Sequence, residues 1–211
     1  MNYAKHLLGF TAVLLMVTLA ACGNVPATTM MTAPQSGAAS DLAETPAAAP
    51  PSIALADKTA GFTLTSPEVT EGGALPIGYT CDGASSTLPL AWSGAPAGTQ
   101  SFAIIMHHVA SPEDVHWYWV VYNILASVTS LPKNSTGIGT LGTNSVNGKT
   151  AYSPPCSKGP GPKVYTYTLY ALSAQPQLSV PASQVDRDTL LEAIQDTTLA
   201  SAELHVTYTR P

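Results

Sequence analysis

The chain has 211 residues, with 8 Lys and Arg against 13 Asp and Glu, a formal net charge of −5, and only 10% charged residues. Because the chain is acidic and contains no basic run, neither nucleic acid nor an anionic lipid surface is expected as an electrostatic partner. The first quarter has the composition of an export signal followed by a linker, which leaves room for one domain.

Residues 1–21 predict a lipoprotein signal peptide. Lys5 precedes the apolar run LLGFTAVLLMVTLAAC, which has the length of a signal-peptide core and is too short to cross a bilayer comfortably. Its end, LAAC, resembles a bacterial lipobox, in which the cysteine, here Cys22, is lipidated and begins the mature protein. A plain secretory signal with a chance cysteine is the alternative. The expected location is the bacterial cell envelope, facing the periplasm or exterior, and Gly23 favours the outer membrane.

Residues 22–58 predict a flexible tether. The segment is rich in Ala, Pro, Ser and Thr, lacks aromatic residues, and shows no sustained period. It cannot bury enough apolar surface to offset the entropy of ordering it. The tether would let a domain at residues 59–211 stand off the membrane to which the acyl chains of Cys22 are anchored.

Two cysteines, Cys81 and Cys156, remain after Cys22 is assigned to lipidation. An even number of cysteines in an oxidising compartment favours a disulfide, and two separate buried thiols are the alternative. The bridge would close a loop of about 75 residues and stabilise the fold by a few kcal/mol in the chain-entropy model.

From Gly61 onward, runs of β-branched and aromatic residues alternate with turns that contain Gly, Pro or Asn, which predicts an all-β domain. Several runs are too apolar for a sheet with one solvated face, so we expect a β-sandwich. The predicted strands include Phe62–Ser66, Ser101–His108, Val115–Ile124 and Lys163–Leu172.

One helix is predicted near the C-terminus, over Thr189–Asp196. Asp186 is a possible N-cap, and leucine and isoleucine then recur at helical spacing. After Thr198 the pattern changes to alternation, which predicts a final strand. The residues on one face of that strand are Leu204, Val206 and Tyr208.

The motifs TCDG, PLAWSGAPAGT and VVYNI occur in this order. With them, the stretch from about Phe62 to Arg210 resembles the bacterial branch of the phosphatidylethanolamine-binding protein family, also called Raf-kinase-inhibitor-like proteins. The resemblance implies an antiparallel Greek-key β-sandwich with a small pocket at one end and a helix near the C-terminus. It also implies binding of phosphorylated head groups or other small anions, without an established enzymatic activity in most members.

The pocket positions implied by the resemblance carry unusual residues. His108 stands where relatives have a pocket aspartate, in the segment that leads to Pro112. Tyr118 takes the usual histidine position of the next motif, and His116 lies two residues earlier. Because side chains alternate along a strand, His116 and Tyr118 are expected on one face and the neighbouring tryptophans on the other.

The third pocket element, PPCSKGPGPKVY, keeps Pro155 and places Lys163 and Tyr165 at the usual histidine and tyrosine positions. Imidazole replaces a carboxylate and an amine replaces an imidazole, so the pocket is expected to favour a doubly charged anion such as phosphate. A Lys163 that points to solvent is the alternative. The expected ligand-binding residues are His108, Pro112, His116, Tyr118, Pro155, Lys163 and Tyr165.

The histidines also admit a metal-site interpretation. His107 and His108 are adjacent on a predicted strand, so they cannot easily ligate one ion, and His107 is expected to be structural. That leaves His108 and His116 with Glu113 or Asp114, without an H-x-H or H-x-x-x-H spacing. Ordinary packed or exposed histidines are the third possibility. The anion pocket is the favoured interpretation, and no metal or cofactor is expected.

Catalysis has little support in the sequence. It contains no G-x-S-x-G motif, no phosphate-cradling glycine loop and no dinucleotide fingerprint. We therefore expect a non-enzymatic binding protein for a small anionic or phosphorylated ligand. An inhibitor or modulator that docks on an unidentified protein partner is the main alternative, and a phosphoester hydrolase is a lesser one.

Overall fold

The computed structural model of the protein describes residues 61–211. The expectations for the signal peptide, for lipidation at Cys22 and for the tether lie outside these residues. The described residues form eight strands, one α-helix and two short 3-10 turns. The strands are β1 (Thr63–Thr65), β2 (Leu90–Ser93), β3 (Ser101–Ser111), β4 (Asp114–Leu125), β5 (Ser130–Leu131), β6 (Thr140–Leu141), β7 (Lys163–Leu172) and β8 (Thr198–Tyr208). The helix is α1 (Arg187–Ile194), and the 3-10 turns are Ile77–Tyr79 and Ala182–Gln184.

The strands form two antiparallel sheets. One has the order β1-β2-β5 and the other the order β6-β4-β3-β7-β8. Apolar residues of both sheets form one core, in which the ring of Phe102 lies 6.2 Å from Phe62 and 5.4 Å from Trp92. The predicted β-sandwich with a minor helical part is confirmed.

The helix α1 covers the other face of the larger sheet. Asp186 is its N-cap, and its side chain accepts a hydrogen bond of 2.8 Å from the Thr189 backbone N–H. The helix therefore begins directly after Asp186, two residues before the predicted start, and buries Leu190 and Ile194. Among residues 61–211, no helix is long and apolar enough to cross a membrane.

The third and fourth strands form a longer hairpin than the sequence predicted. Ser111 pairs with Asp114, so only Pro112 and Glu113 remain for the turn. The sequence interpretation ended the first strand at His108 and began the second at Val115. Continued cross-strand pairing, rather than the apolar pattern, determines where these strands end.

A β-bulge in β4 changes which side chains share a face. Met106 pairs with Trp119 and His107 pairs with Trp117, which leaves Tyr118 as the extra residue. Tyr118 and Trp119 both belong to the core between the sheets, whereas Trp117 packs on the helix side. The expectation that the two tryptophans share one face is wrong, because a bulge interrupts strict alternation.

Candidate functional site

A disulfide stands beside the candidate site. It joins Cys81 to Cys156, with a Cα–Cα distance of 5.4 Å across 75 residues of sequence. This is the pairing favoured from the sequence over two separate thiols. The Cys81 backbone N–H also donates to the Pro155 carbonyl at 3.1 Å, so the bridge and this bond together hold the segment that carries Pro155.

A cavity of about 280 Å³ opens next to this disulfide and is called the cleft below. The hydroxyl oxygens of Tyr118 and Ser157 lie 3.0 Å apart and form a hydrogen bond there. Burial raises the pKa of Tyr118 to about 12, so this phenol keeps its proton at neutral pH. The residues that line the cleft are His116, Tyr118, Ser145, Val146, Cys156 and Ser157.

His116 lies at the mouth of the cleft with a carboxylate beside it. Its Nε2 lies 3.1 Å from Oδ1 of Asp114, and both side chains are about half exposed, at 45% and 57%. The imidazole therefore has a counter-charge of its own when it is protonated. The mouth of the cleft is less positive than the substitutions in the sequence suggested, because Asp114 places a carboxylate next to His116.

His108 is buried behind the cleft and does not line it. Its side chain is 8% exposed, and its Nδ1 lies 2.7 Å from the carbonyl oxygen of Val164. Because a carbonyl only accepts hydrogen bonds, this short distance places a proton on Nδ1. In the neutral imidazole the other nitrogen then carries a lone pair. His108 can therefore donate to an anion only as the imidazolium, through Nε2, and its role as a ligand-binding residue stays a prediction.

Tyr165 supports the cleft from within the core. Its side chain is fully buried, and its ring lies 5.2 Å from that of Tyr118 and 5.4 Å from that of His108. The Tyr165 hydroxyl has no hydrogen-bond partner among the described residues. Tyr165 therefore packs against Tyr118 and His108, and its expected role as a ligand-binding phenol stays a prediction.

The remaining expected ligand residues also lie outside the lining of the cleft. Pro112 is exposed in the β3–β4 turn, and Pro155 is buried next to the disulfide. Lys163 pairs in register with Tyr208 on β8, at the edge of a different cavity. Of the seven expected residues, His116 and Tyr118 line the cleft, and ligand binding by the other five stays a prediction.

The sequence interpretation missed Ser145 and Val146 as cleft residues. They lie on a turn organised by Asn144, whose side chain accepts hydrogen bonds from the backbone of Val146 and Asn147. The Ser145 hydroxyl donates to the Trp117 carbonyl at 3.1 Å, which holds the turn against β4. An Asn-containing turn is visible in the sequence. The contact of this turn with β4 is not visible in the sequence, because the two residues that form it are 28 positions apart.

The histidine cluster forms no metal centre in the part of the chain that the structure describes. There, no three His, Cys, Asp or Glu side chains are grouped so that they could hold an ion. His107 faces the helix side of the sheet, away from His108, as the predicted alternation requires. Burial, together with the guanidinium of Arg187, lowers the pKa of His107.

Two antiparallel sheets with a cleft at one end of the larger sheet define a β-sandwich binding domain. The family model described as phosphatidylethanolamine-binding protein matches residues 65–209. The chain therefore belongs to the phosphatidylethanolamine-binding protein family, as the resemblance in sequence predicted.

Similar proteins align with nearly the whole length of the domain. A UPF0098 protein of Methanothermobacter thermautotrophicus is 35% identical over 143 residues, which is 65% of this chain and 92% of that protein. The crystal structure of a putative phosphatidylethanolamine-binding protein homolog from Chlamydia trachomatis matches with a TM-score of 0.65 and 29% identity, over 72% of this chain and 99% of that one. Escherichia coli YbcL also gives a TM-score of 0.65, with 26% identity and the same coverage.

Proposed function

We propose that the domain binds a small anionic or phosphorylated ligand, such as a phospholipid head group or a phosphorylated metabolite, in the cleft. The observation that carries this proposal is the hydroxyl pair of Tyr118 and Ser157, 3.0 Å apart, beside the half-exposed imidazole of His116. Such groups donate hydrogen bonds to phosphate and carboxylate oxygens. Two or three charge-assisted bonds of roughly 1.5–3 kcal/mol each support millimolar to micromolar binding after ordering costs are subtracted.

The charges at the mouth of the cleft favour a ligand with charges of both signs. The carboxylate of Asp114 lies 3.1 Å from His116 and repels a bare dianion, but it attracts an ammonium group next to a phosphate. Val146 and Cys156 offer apolar surface to a short methylene spacer. Phosphoethanolamine combines these features, and the description of the family supports the same choice.

The proposal is binding without catalysis. The Ser157 hydroxyl is hydrogen-bonded to the phenol of Tyr118, whose pKa burial raises to about 12. A serine nucleophile needs a neighbouring base that accepts its proton at neutral pH, and a protonated phenol does not supply one. The pair therefore suits hydrogen bonding to a ligand better than attack on it.

The cleft is tested by calorimetric titration of the purified protein with phosphoethanolamine and with sulfate. We expect Tyr118→Phe and His116→Ala each to weaken phosphoethanolamine binding about tenfold, which corresponds to the loss of one hydrogen bond of about 1.4 kcal/mol. His205→Ala is the matched control, because His205 is also a partly exposed histidine paired with a carboxylate, Glu71, and it does not line the cleft.

The pH dependence separates this proposal from a metal site. A bound anion stabilises a protonated imidazole, so sulfate should bind more tightly at pH 5.5 than at pH 8. Sulfate keeps its charge over this range, so the change reports on the protein. Zinc bound by imidazoles would show the opposite trend. Failure of both anions to bind at either pH would contradict the proposal, as would unchanged affinity in both cleft variants.

We also propose that the domain is held at an extracytoplasmic membrane surface through lipidated Cys22. Support comes from the LAAC sequence and from the disulfide, since disulfides persist in oxidising compartments. Replacing Cys22 with Ala should move the protein from the membrane fraction to the soluble fraction of fractionated cells. A wild-type protein that is already soluble would remove the basis for the anchor.

A further inference from the structure

A second cavity, called the basic pocket here, is lined in part by the continuation of the segment that borders the cleft. Its volume is about 300 Å³. Cys156 and Ser157 line the cleft, whereas the next two residues, Lys158 and Gly159, line the basic pocket. The residues that line the basic pocket are Asp82, Lys158, Gly159, Arg210 and Pro211.

Positive charge is concentrated at the basic pocket. The whole chain has 8 Lys and Arg residues, and two of them, Lys5 and Lys58, precede the described range. Of the other six, Lys158 and Arg210 line the pocket. Lys163 lies at its edge, because a Cβ built on Gly159 would be 3.8 Å from the Lys163 Nζ. Half of the cations in the described range therefore gather around one small cavity.

Asp82 is the one side-chain carboxylate that lines the basic pocket, and it is already neutralised. Asp82 accepts hydrogen bonds from Arg210 Nε at 3.1 Å and Nη2 at 3.0 Å, and from the Tyr208 hydroxyl at 2.6 Å. These bonds, with the one from Tyr208 as the largest cause, lower the pKa of Asp82 and keep it ionised. The pair of Asp82 and Arg210 thus contributes no net charge and forms a fixed side of the pocket.

The two lysines keep their charge available to a ligand. Among the ion pairs of residues 61–211, none within 4.0 Å involves Lys158 or Lys163. Lys158 is exposed, whereas Lys163 is half-buried next to Tyr208 in the β7–β8 register. Gly159 has a positive φ of 117° and no side chain, which leaves the backbone between the lysines open to a ligand.

We propose that the basic pocket is a second anion site, which binds the phosphate of a phosphomonoester or free phosphate between Lys158 and Lys163. A tetrahedral dianion can accept charge-assisted hydrogen bonds from two ammonium groups at once. Arg210 bounds the site but is occupied by Asp82. This proposal does not depend on ligand binding in the cleft, so an experiment can contradict one site and still support the other.

The test follows backbone amide shifts by NMR while the purified protein is titrated with inorganic phosphate at 0.15 M salt. We expect the largest shifts at Lys158, Gly159 and Arg210, and we expect Lys158→Ala with Lys163→Ala to weaken phosphate binding at least tenfold. Conversion of both lysines to arginine should preserve binding, because arginine keeps the charge and the donors.

A matched control removes two other positive charges, with Lys133→Ala and Lys149→Ala, from sites outside the basic pocket. The proposal is overturned if this control weakens phosphate binding as much, if the shifts fall on Ser145 and Ser157 of the cleft, or if the variant lacking both pocket lysines binds normally. Tyr118→Phe should leave the phosphate shifts at the basic pocket unchanged, which distinguishes failure of this site from failure of the cleft.

A final arm identifies the source of the phosphate group. The phosphate-loaded protein is mixed with phosphatidylcholine vesicles that contain phosphatidic acid, and bound phosphate is measured after sedimentation. Displacement of phosphate that depends on the two lysines identifies a lipid head group as the ligand of the basic pocket. Retention of phosphate shows that the site prefers soluble phosphate to this lipid, and both results support an anion site.

Discussion

Replacing both Cys81 and Cys156 with serine will lower the free energy of unfolding by about 4 kcal/mol. The bridge spans 75 residues. In the chain-entropy model, closing a loop of this length lowers the entropy of the unfolded chain, which stabilises the folded state by about that free energy. For a domain of about 150 residues, the expected fall in melting temperature is about 8–16 °C. Urea denaturation and thermal melting followed by circular dichroism measure both quantities.

Single replacements provide the control for the disulfide prediction. Cys81→Ser and Cys156→Ser break the same bond, so each should match the double variant, and wild-type protein treated with a reductant should match all three. Because Cys156 lines the cleft and Ser157 follows it, phosphoethanolamine binding should weaken under conditions where the reduced domain is still folded. A change below 1 kcal/mol in every variant would contradict the stabilising role assigned to the bridge.

Local sequence patterns predicted most of the fold. The β7 strand has the predicted bounds, Lys163–Leu172, because aromatic and β-branched residues recur along it without a turn signal. Asp186 was identified as the N-cap because aspartate before a helical pattern satisfies free backbone N–H groups. The short strands Ser130–Leu131 and Thr140–Leu141 were missed, since two residues carry no periodic pattern.

The sequence predicted which residues belong to the candidate site more accurately than it predicted where their side chains lie. His116 and Tyr118 line the cleft, as expected, but the bulge at Tyr118 depends on pairing with β3 and cannot be read from β4 alone. Lys163 has the inward-facing position of Tyr165 and Tyr167 on β7, yet its ammonium lies near Gly159. Strand position determines the face of a side chain, whereas the neighbouring loop determines which cavity a long side chain reaches.

Tyr165 will show a large difference in stability between removal of its ring and removal of its hydroxyl. We expect Tyr165→Ala to lower the free energy of unfolding by about 3–5 kcal/mol, because a large cavity would remain in the packed core. The lost ring contacts both Tyr118 and His108, so the tyrosine that lines the cleft would also lose its support. Urea denaturation measures the stability, and calorimetry measures phosphoethanolamine binding.

Tyr165→Phe is the matched variant, and we expect it to be at least as stable as the wild type. The Tyr165 hydroxyl is buried without a partner among the described residues, so its removal eliminates an unpaired polar group and keeps the ring. Phosphoethanolamine affinity should also stay within a factor of two, because the hydroxyl does not line the cleft. If Tyr165→Phe instead weakens binding tenfold while the fold stays intact, the phenol contacts the ligand as the sequence first suggested. The packing role assigned to Tyr165 would then have to be abandoned.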